Sequence, residues 1–163
     1  MKTLFLLRHA KSSWDDPSLS DFDRPLNDRG VRAARFVGGL MRERRLLPGT
    51  IVCSPAVRAM STAELIIAAS AFVGETTYDD RIYEASPHRL AEVGSAIGGR
   101  YETAMIVGHN PGMEGFVYYL TGALEPMPTA ALAVIELNIG KWSNLGGGRG
   151  QLREIIRPKA VMK

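Results

Sequence analysis

Short apolar runs alternate with longer amphipathic stretches along most of the chain, and this alternation restricts the fold more than any other feature of the sequence. Strands are predicted at residues 3–7, 51–53, 78–82, 104–107, 131–137 and 152–156. Between the first strands, periodic stretches predict helices that begin after the capping residues Asn27, Ser54, Ser86 and Asn110. Alternation of this kind is typical of a layered α/β domain.

The length of the chain, 163 residues, suits one domain with a substantial core. The sequence contains no internal repeat, no low-complexity tract and no linker long enough to separate two domains. We therefore predict a single domain over residues 1–163.

Composition excludes several classes of function. Cys53 is the only cysteine, which excludes an internal disulfide framework and a cysteine-rich zinc site, and three histidines leave little room for a histidine-rich metal centre. A net charge of +3 is too mild to indicate a nucleic-acid partner. The densest basic cluster, Arg42, Arg44 and Arg45, is interpreted as a solvated helix end favoured by the helix dipole.

The N-terminal apolar run ends too early for a targeting signal. Arg8 and His9 follow Leu7 directly, whereas a secretory signal needs roughly 7–15 apolar residues. No stretch approaches the roughly 18 apolar residues of a membrane span. We therefore expect a soluble, cytoplasmic protein with no membrane partner.

Polar side chains follow three of the predicted strands at the point where each strand ends. Arg8 and His9 follow the first strand, Arg58 lies in the first turn after the second, and His109 follows the fourth. Ligands of open α/β sheets bind outside the carboxyl ends of the strands, so these side chains are expected to converge. The guanidinium N–H groups of arginine and the backbone N–H groups at helix N-termini donate well to phosphate oxygens, which favours an oxyanion site over a metal site.

Cys53 and Arg58 suggest a rival interpretation, the thiolate loop of cysteine phosphatases. That loop has five residues between cysteine and arginine, whereas only four separate them here. Pro55 also removes a backbone N–H that the anion cradle would need, and the segment has no glycine. Cys53 is therefore interpreted as a small buried residue at a strand end.

A glycine-rich segment at residues 146–150 suggests a second rival, a nucleotide-binding loop. It matches neither the phosphate-loop pattern nor the dinucleotide-binding pattern, and the sequence after it predicts a strand rather than a helix. The segment is interpreted as a flexible connection.

Four motifs together resemble the histidine phosphatase superfamily, whose fold is phosphoglycerate mutase-like. In chain order they are LRHAK at 7–11, DRPLNDRG at 23–30, SPAVRA at 54–59 and VGHNPG at 107–112. Ala10 replaces the glycine of the usual R-H-G signature, as it does in the small SixA-type phosphohistidine phosphatase branch. The resemblance spans nearly the whole chain and implies a three-layer α/β/α sandwich with a mostly parallel central sheet.

The resemblance implies a chemistry as well as a fold. His9 would be the nucleophile that attacks phosphorus and forms a covalent phosphohistidine intermediate, which water then hydrolyses. Arg8, Arg58 and His109 would bind the phosphate and stabilise its charge. A backbone carbonyl bound to the other nitrogen of His9 would hold the ring in the required tautomer. No metal and no cofactor are expected, because the arginines supply the positive charge.

The resemblance leaves the general acid open. Glu84 occupies a place similar to that of the family's catalytic glutamate, and Asp21 and Asp23 are the alternatives. Lys11, Ser12 and Arg24 are expected at the mouth of the pocket. Asp15 stands where several relatives have asparagine, so that contact is not carried over.

Four functions are weighed against one another. The chain has no insertion long enough for the lid that a mutase needs, so a phosphatase is predicted. An open site suits phosphohistidine on a protein substrate. A small-molecule phosphomonoesterase and a non-catalytic phosphate-binding module are the alternatives. The sequence does not indicate the oligomeric state or how the C-terminal strands pair.

Overall fold

The computed structural model describes residues 1–162 and places six strands and five helices in this part of the chain. The strands are β1 (Lys2–Arg8), β2 (Thr50–Cys53), β3 (Glu75–Tyr78), β4 (Thr103–Gly108), β5 (Leu132–Leu137) and β6 (Gly150–Ile156). The helices are α1 (Asp28–Arg44), α2 (Val57–Ser70), α3 (Pro87–Ser95), α4 (Gly112–Thr121) and α5 (Pro158–Val161).

All six strands form one sheet, in the order β3-β2-β4-β1-β5-β6. The strands from β3 to β1 are parallel to one another, whereas β5 pairs antiparallel with β1 and β6 antiparallel with β5. The C-terminal strands therefore extend the sheet at its β1 edge. The carboxyl ends of β1, β2 and β4 lie side by side, which is where an open α/β sheet binds its ligand.

Alternate residues of β1 point into different cores, because successive side chains of a strand face opposite sides of the sheet. Leu4 and Leu6 pack in a core that α3 and α4 cover, and Phe5 and Leu7 pack in a second core that α1 and α2 cover. The predicted three-layer α/β/α architecture with a mostly parallel sheet is confirmed. No helix within residues 1–162 has the length and apolar character needed to cross a membrane.

Two of the predicted helix starts are capped as expected. The side chain of Asn27 accepts a hydrogen bond from Gly30 N at 2.8 Å, and that of Ser86 accepts one from Arg89 N at 3.2 Å. The predicted start of α2 was wrong. The hydroxyl of Ser54 accepts from Ala56 N in a local turn and does not cap the helix, and α2 begins at Val57.

The predicted third strand, at residues 78–82, is also displaced. β2 is four residues long, and its pairing with β3 ends where Cys53 lies beside Tyr78. The chain then forms a short 3₁₀ turn at Asp80–Ile82, which the side chain of Asp79 caps. The prediction of one domain over residues 1–163 stays a prediction, and Lys163 lies outside the described residues.

Candidate active site

The structure brings together the four side chains that follow the strand ends. Arg8 is the last residue of β1 and His9 follows it, His109 follows β4, and Arg58 lies in the first turn of α2. The imidazole rings of His9 and His109 lie 5.0 Å apart between centroids. Both rings and the Arg58 side chain are buried. The convergence expected from the strand order is therefore present in the fold.

The Nδ1 atom of His9 lies 2.7 Å from the carbonyl oxygen of Ala10. A carbonyl oxygen only accepts hydrogen bonds, so in the neutral ring Nδ1 carries the hydrogen and Nε2 keeps a free electron pair. Backbone hydrogen bonds hold the same loop: His9 N donates to Gly108 O, and Ala130 N donates to His9 O, each at 3.0 Å. The side chain of Thr62 accepts from Ala10 N at 2.9 Å.

His9 is held neutral by its surroundings. Burial, followed by the nearby charges of Arg58 and Arg8, lowers the pKa of its imidazole from 6.5 to about 4. The ring is therefore unprotonated at neutral pH, and the Ala10 contact determines which of its nitrogens can attack an electrophile.

The second histidine of the site is held by a residue whose role the sequence did not reveal. His109 Nε2 lies 2.8 Å from the hydroxyl of Ser54, and His109 Nδ1 is buried without a hydrogen-bond partner among residues 1–162. Burial and the neighbouring charge of His9 lower the pKa of His109 to about 3. Ser54 was expected to cap α2, and its position directly after β2 is the sequence signal for a contact across the strand ends.

Three buried polar atoms of this cluster lack a hydrogen-bond partner among the described residues: Arg8 Nε, Arg58 Nε and His109 Nδ1. Buried donors are normally satisfied, and two of these three belong to permanently charged guanidinium groups. Arg8 is anchored by its Nη1, which donates to the carbonyl oxygen of Met127 at 3.0 Å. The cluster is therefore rich in donors, which suits an anionic ligand.

Asp21 is the acidic centre of the site. Its carboxylate accepts hydrogen bonds from Arg58 Nη2 at 3.0 Å, from the hydroxyl of Tyr83 at 2.6 Å and from Arg24 Nη2 at 3.1 Å. Its backbone oxygen also accepts from Arg58 Nη1 at 2.6 Å. The Tyr83 hydrogen bond, followed by the two arginines, holds the pKa of Asp21 at about 2. Asp21 thus has no proton to donate at neutral pH.

Arg24, which binds Asp21, is itself held by two neighbouring side chains. Its guanidinium stacks on the ring of Trp14 at 3.4 Å from the centroid, and its Nη1 donates to the hydroxyl of Ser12 at 2.8 Å. Arg24 and Ser12 therefore belong to the network that holds Asp21. Lys11 was expected at the mouth of the same pocket, but it lines a separate concavity together with residues of α1 and α5.

A cavity of about 780 Å³ borders the cluster, although Arg8 and His9 are not part of its lining. Asp21, Arg58, Tyr83, Glu84 and His109 contribute to its lining. The side chain of Glu84 is exposed to solvent in this cavity. Two of the three candidate acids, Glu84 and Asp21, thus face the cavity.

Asp23 is the third candidate acid and does not line the cavity. It is exposed and accepts a hydrogen bond from the hydroxyl of Ser20 at 2.9 Å. The geometry therefore favours Glu84 over Asp23 as a group that reaches a bound substrate.

Cys53 lies in the interior as predicted. Its side chain is fully buried, and burial raises the pKa of the thiol, which keeps it protonated. Within residues 1–162, no group of three or more histidine, cysteine, aspartate and glutamate side chains is arranged to hold a metal ion.

The lowered histidine pKa values predict a pH-dependent stability. Below about pH 6.5 the unfolded chain protonates His9 and His109, whereas the folded protein does so only near pH 4 and pH 3. We expect the two buried, neutral histidines to contribute fully to the free energy of unfolding above about pH 6.5. This contribution should be lost as the pH falls. The limiting slope is about 1.4 kcal/mol per pH unit for each histidine.

Urea unfolding between pH 4.5 and pH 7.5 measures this slope. His9→Gln and His109→Gln should each reduce it, whereas His88→Gln, at an exposed histidine, should leave it unchanged. An unchanged slope in His109→Gln would contradict the burial of a neutral ring.

Comparison with known proteins shows which family this chain resembles. Residues 4–93 match the Histidine phosphatase superfamily (branch 1). An uncharacterised protein of Mycobacterium tuberculosis is 30% identical over 153 residues, which cover 87% of this chain and 93% of the relative. SixA from Agrobacterium tumefaciens superposes with a TM-score of 0.84 at 29% identity, over 96% of this chain and 98% of that structure.

A more distant structure, the protein histidine phosphatase SixA complexed with tungstate, has the same fold, with a TM-score of 0.83 at 20% identity. The alignment covers 97% of this chain and 98% of that structure. The fold, the sequence match over more than half of the chain and the order of the motifs agree with one another. This chain belongs to the histidine phosphatase superfamily.

Proposed function

We propose that this protein is a metal-independent phosphatase that removes phosphate from phosphohistidine on a protein substrate, with His9 as its nucleophile. Membership of the superfamily and likeness to SixA support a phosphatase acting on a phosphorylated substrate. The observation that carries the proposal is the 2.7 Å contact between His9 Nδ1 and Ala10 O, because it leaves Nε2 with a free electron pair.

The proposed reaction has two displacements. In the first, the lone pair of His9 Nε2 forms a bond to phosphorus while the bond from phosphorus to the substrate nitrogen breaks, and the released imidazole takes up a proton from solvent. In the second, a water oxygen forms a bond to phosphorus, the bond to His9 Nε2 breaks, and inorganic phosphate leaves. The released electron pair returns to Nε2, so His9 is regenerated neutral.

Arg8, Arg58 and His109 are proposed to bind the phosphoryl oxygens. Two guanidinium groups and one ring nitrogen, fixed before the substrate arrives, stabilise charge without reorganising during the reaction. Met127 O anchors Arg8, Asp21 anchors Arg58, and Ser54 anchors His109. Asp21 is then a positioning residue, because a carboxylate with a pKa of about 2 cannot protonate a leaving group.

A comparison of phosphohistidine substrates with a phosphomonoester distinguishes this proposal from a phosphomonoesterase. A cavity of about 780 Å³ is large enough for a small phosphorylated metabolite, which favours the phosphomonoesterase as second candidate. We would compare kcat/KM for a phosphohistidine-bearing phosphotransfer protein, free phosphohistidine and p-nitrophenyl phosphate, with and without EDTA.

We expect kcat/KM for the phosphoprotein to be at least about tenfold higher than kcat/KM for the monoester, and we expect EDTA to have no effect on either. Hydrolysis of the monoester alone would favour the second candidate. Loss of all activity with EDTA would contradict metal independence.

Glu84 is proposed to protonate leaving groups that need a proton. Glu84→Gln should lower kcat for an alkyl phosphomonoester such as glycerol phosphate by about 10²-fold, because an alkoxide leaves poorly without an acid. For phosphohistidine the loss should stay below about fivefold, since imidazole is a better leaving group. Steady-state kinetics on both substrates measure the difference. Asp23→Asn is the matched control outside the cavity, and equal rates of Glu84→Gln and the unmodified protein on both substrates would exclude Glu84 as the acid.

A further inference from the structure

A second concavity, of about 420 Å³, is lined by four basic side chains: Lys11, Arg29, Arg32 and Lys159. We call it the basic concavity. The chain segments that contribute these cations are the loop after β1, the first turns of α1, and α5. No carboxylate belongs to the lining, and none of the four cations makes an ion pair within residues 1–162.

The four cations lie together around one concavity without a carboxylate among them. Some exposed arginines elsewhere have carboxylate partners, such as Arg44 with Glu154 at 2.6 Å and Arg153 with Glu136 at 2.7 Å. Four cations around one concavity repel one another, and this repulsion lessens when an anion enters. The electrostatics of the basic concavity therefore favour an anionic ligand.

The basic concavity adjoins the loops that hold the nucleophile. Lys11 is two residues from His9, and its carbonyl oxygen accepts from Asn27 N at 3.0 Å. Gly30 lies against the same carbonyl, where a Cβ atom would overlap with it. On the other side, Thr129 precedes Ala130, whose N–H donates to His9 O. A molecule on this surface thus lies beside the catalytic loop.

The character of the surface indicates the class of ligand. All four cationic side chains are exposed on long flexible stems, and the rest of the lining is mostly apolar, including Pro128 and Pro158. A small anion needs donors fixed around it, whereas mobile cations spread over a surface suit several carboxylates at once. The basic concavity therefore fits the acidic face of another protein.

We propose that the basic concavity docks an acidic face of the protein that carries the phosphohistidine. This inference rests on the proposed function, because a protein substrate must lie against the surface around His9. The loop before Asp21 carries exposed acids at Asp15 and Asp16. A partner with carboxylates over the basic concavity is repelled from that loop, so the charge pattern orients the partner.

Two fluorescent peptides test the docking surface without requiring catalysis. Each carries one unphosphorylated histidine, flanked by four glutamates in one peptide and by four glutamines in the other. Fluorescence anisotropy should show roughly tenfold tighter binding of the glutamate peptide at about 20 mM salt, with most of the preference lost at about 200 mM. R29E/R32E should abolish the preference. R42E/R149E changes the net charge equally at exposed arginines outside the basic concavity and should keep most of it.

Phosphorylated forms of the same peptides connect docking with turnover. For the unmodified protein, the ratio of kcat/KM between glutamate and glutamine peptides should be about ten, and in R29E/R32E about one. Equal binding of the two peptides, or an unchanged preference in R29E/R32E, would overturn the docking surface even if both phosphopeptides are hydrolysed. Failure to hydrolyse either phosphopeptide would instead contradict the proposed function, and the anisotropy result would still decide the docking surface.

Discussion

His9→Ala should lower the turnover of a phosphohistidine substrate by at least roughly 10³-fold, because the proposed reaction passes through a bond between His9 Nε2 and phosphorus. In that reaction His109 binds the phosphoryl oxygens, and Cys53 is a buried, protonated thiol. Initial-rate measurements on phosphohistidine and on a phosphomonoester should show the same loss, since both reactions pass through the same nucleophile.

The matched control is His88→Ala, which removes the one histidine of the chain outside the site, an exposed residue of α3. It should keep turnover within about twofold of the unmodified protein. A tenfold or smaller loss in His9→Ala, with an intact circular dichroism spectrum, would mean that His9 does not carry the reaction.

Arg58→Ala should lower kcat/KM by roughly 10²–10³-fold, because it removes a fixed positive charge from the proposed phosphate site. Arg58→Lys should restore little of this loss. Lysine cannot reproduce the two contacts that Arg58 makes with the backbone oxygen and the carboxylate of Asp21, at 2.6 and 3.0 Å. The inhibition constant for inorganic phosphate should rise in both variants and thereby report binding independently of turnover.

A spectroscopic readout distinguishes loss of this charge from a general disturbance of the fold. Arg58 lowers the pKa of both His9 and Asp21, so Arg58→Ala should move both pKa values upward, as measured by NMR titration. Arg42→Ala, at an exposed arginine of α1, should move neither. Unchanged phosphate inhibition in Arg58→Ala would contradict its place in the phosphate site.

The central part of the site was predictable because it depends on strand order and strand ends. Arg8 with His9, Arg58 and His109 each follow an apolar run, and a parallel sheet brings such positions to one edge whatever the loops between them do. The resemblance to the histidine phosphatase superfamily rests on these same residues, and the family and the three-layer fold are confirmed.

The supporting contacts were not predictable, because they join side chains that no local pattern relates. Tyr83 binds Asp21 from 62 residues away, and Ser54 binds His109 from 55 residues away. Local patterns predicted Ser54 as a helix cap, since a serine before a proline usually starts a helix. The tertiary contact with His109 overrides that preference, and α2 starts later.

Element boundaries failed for a related reason. The third strand was predicted from its own residues, but its length is determined by the four residues of β2 with which it pairs. The basic concavity also depends on tertiary structure, because Lys11 and Lys159 are 148 residues apart in the chain and meet only when α5 packs against α1. The sequence shows a net charge of +3, but it does not show that these four cations lie together in the fold.

Trapping of the phosphorylated enzyme tests the role of His9 most directly. The protein is mixed with an excess of radiolabelled phosphohistidine protein, quenched with base within one turnover, and digested for peptide mapping. We expect label approaching about one phosphate per chain, stable in base and labile in acid, on the peptide that contains His9, and no such label in His9→Ala. A burst of product with no labelled protein, or acid-stable label on a peptide without His9, would contradict this role of His9.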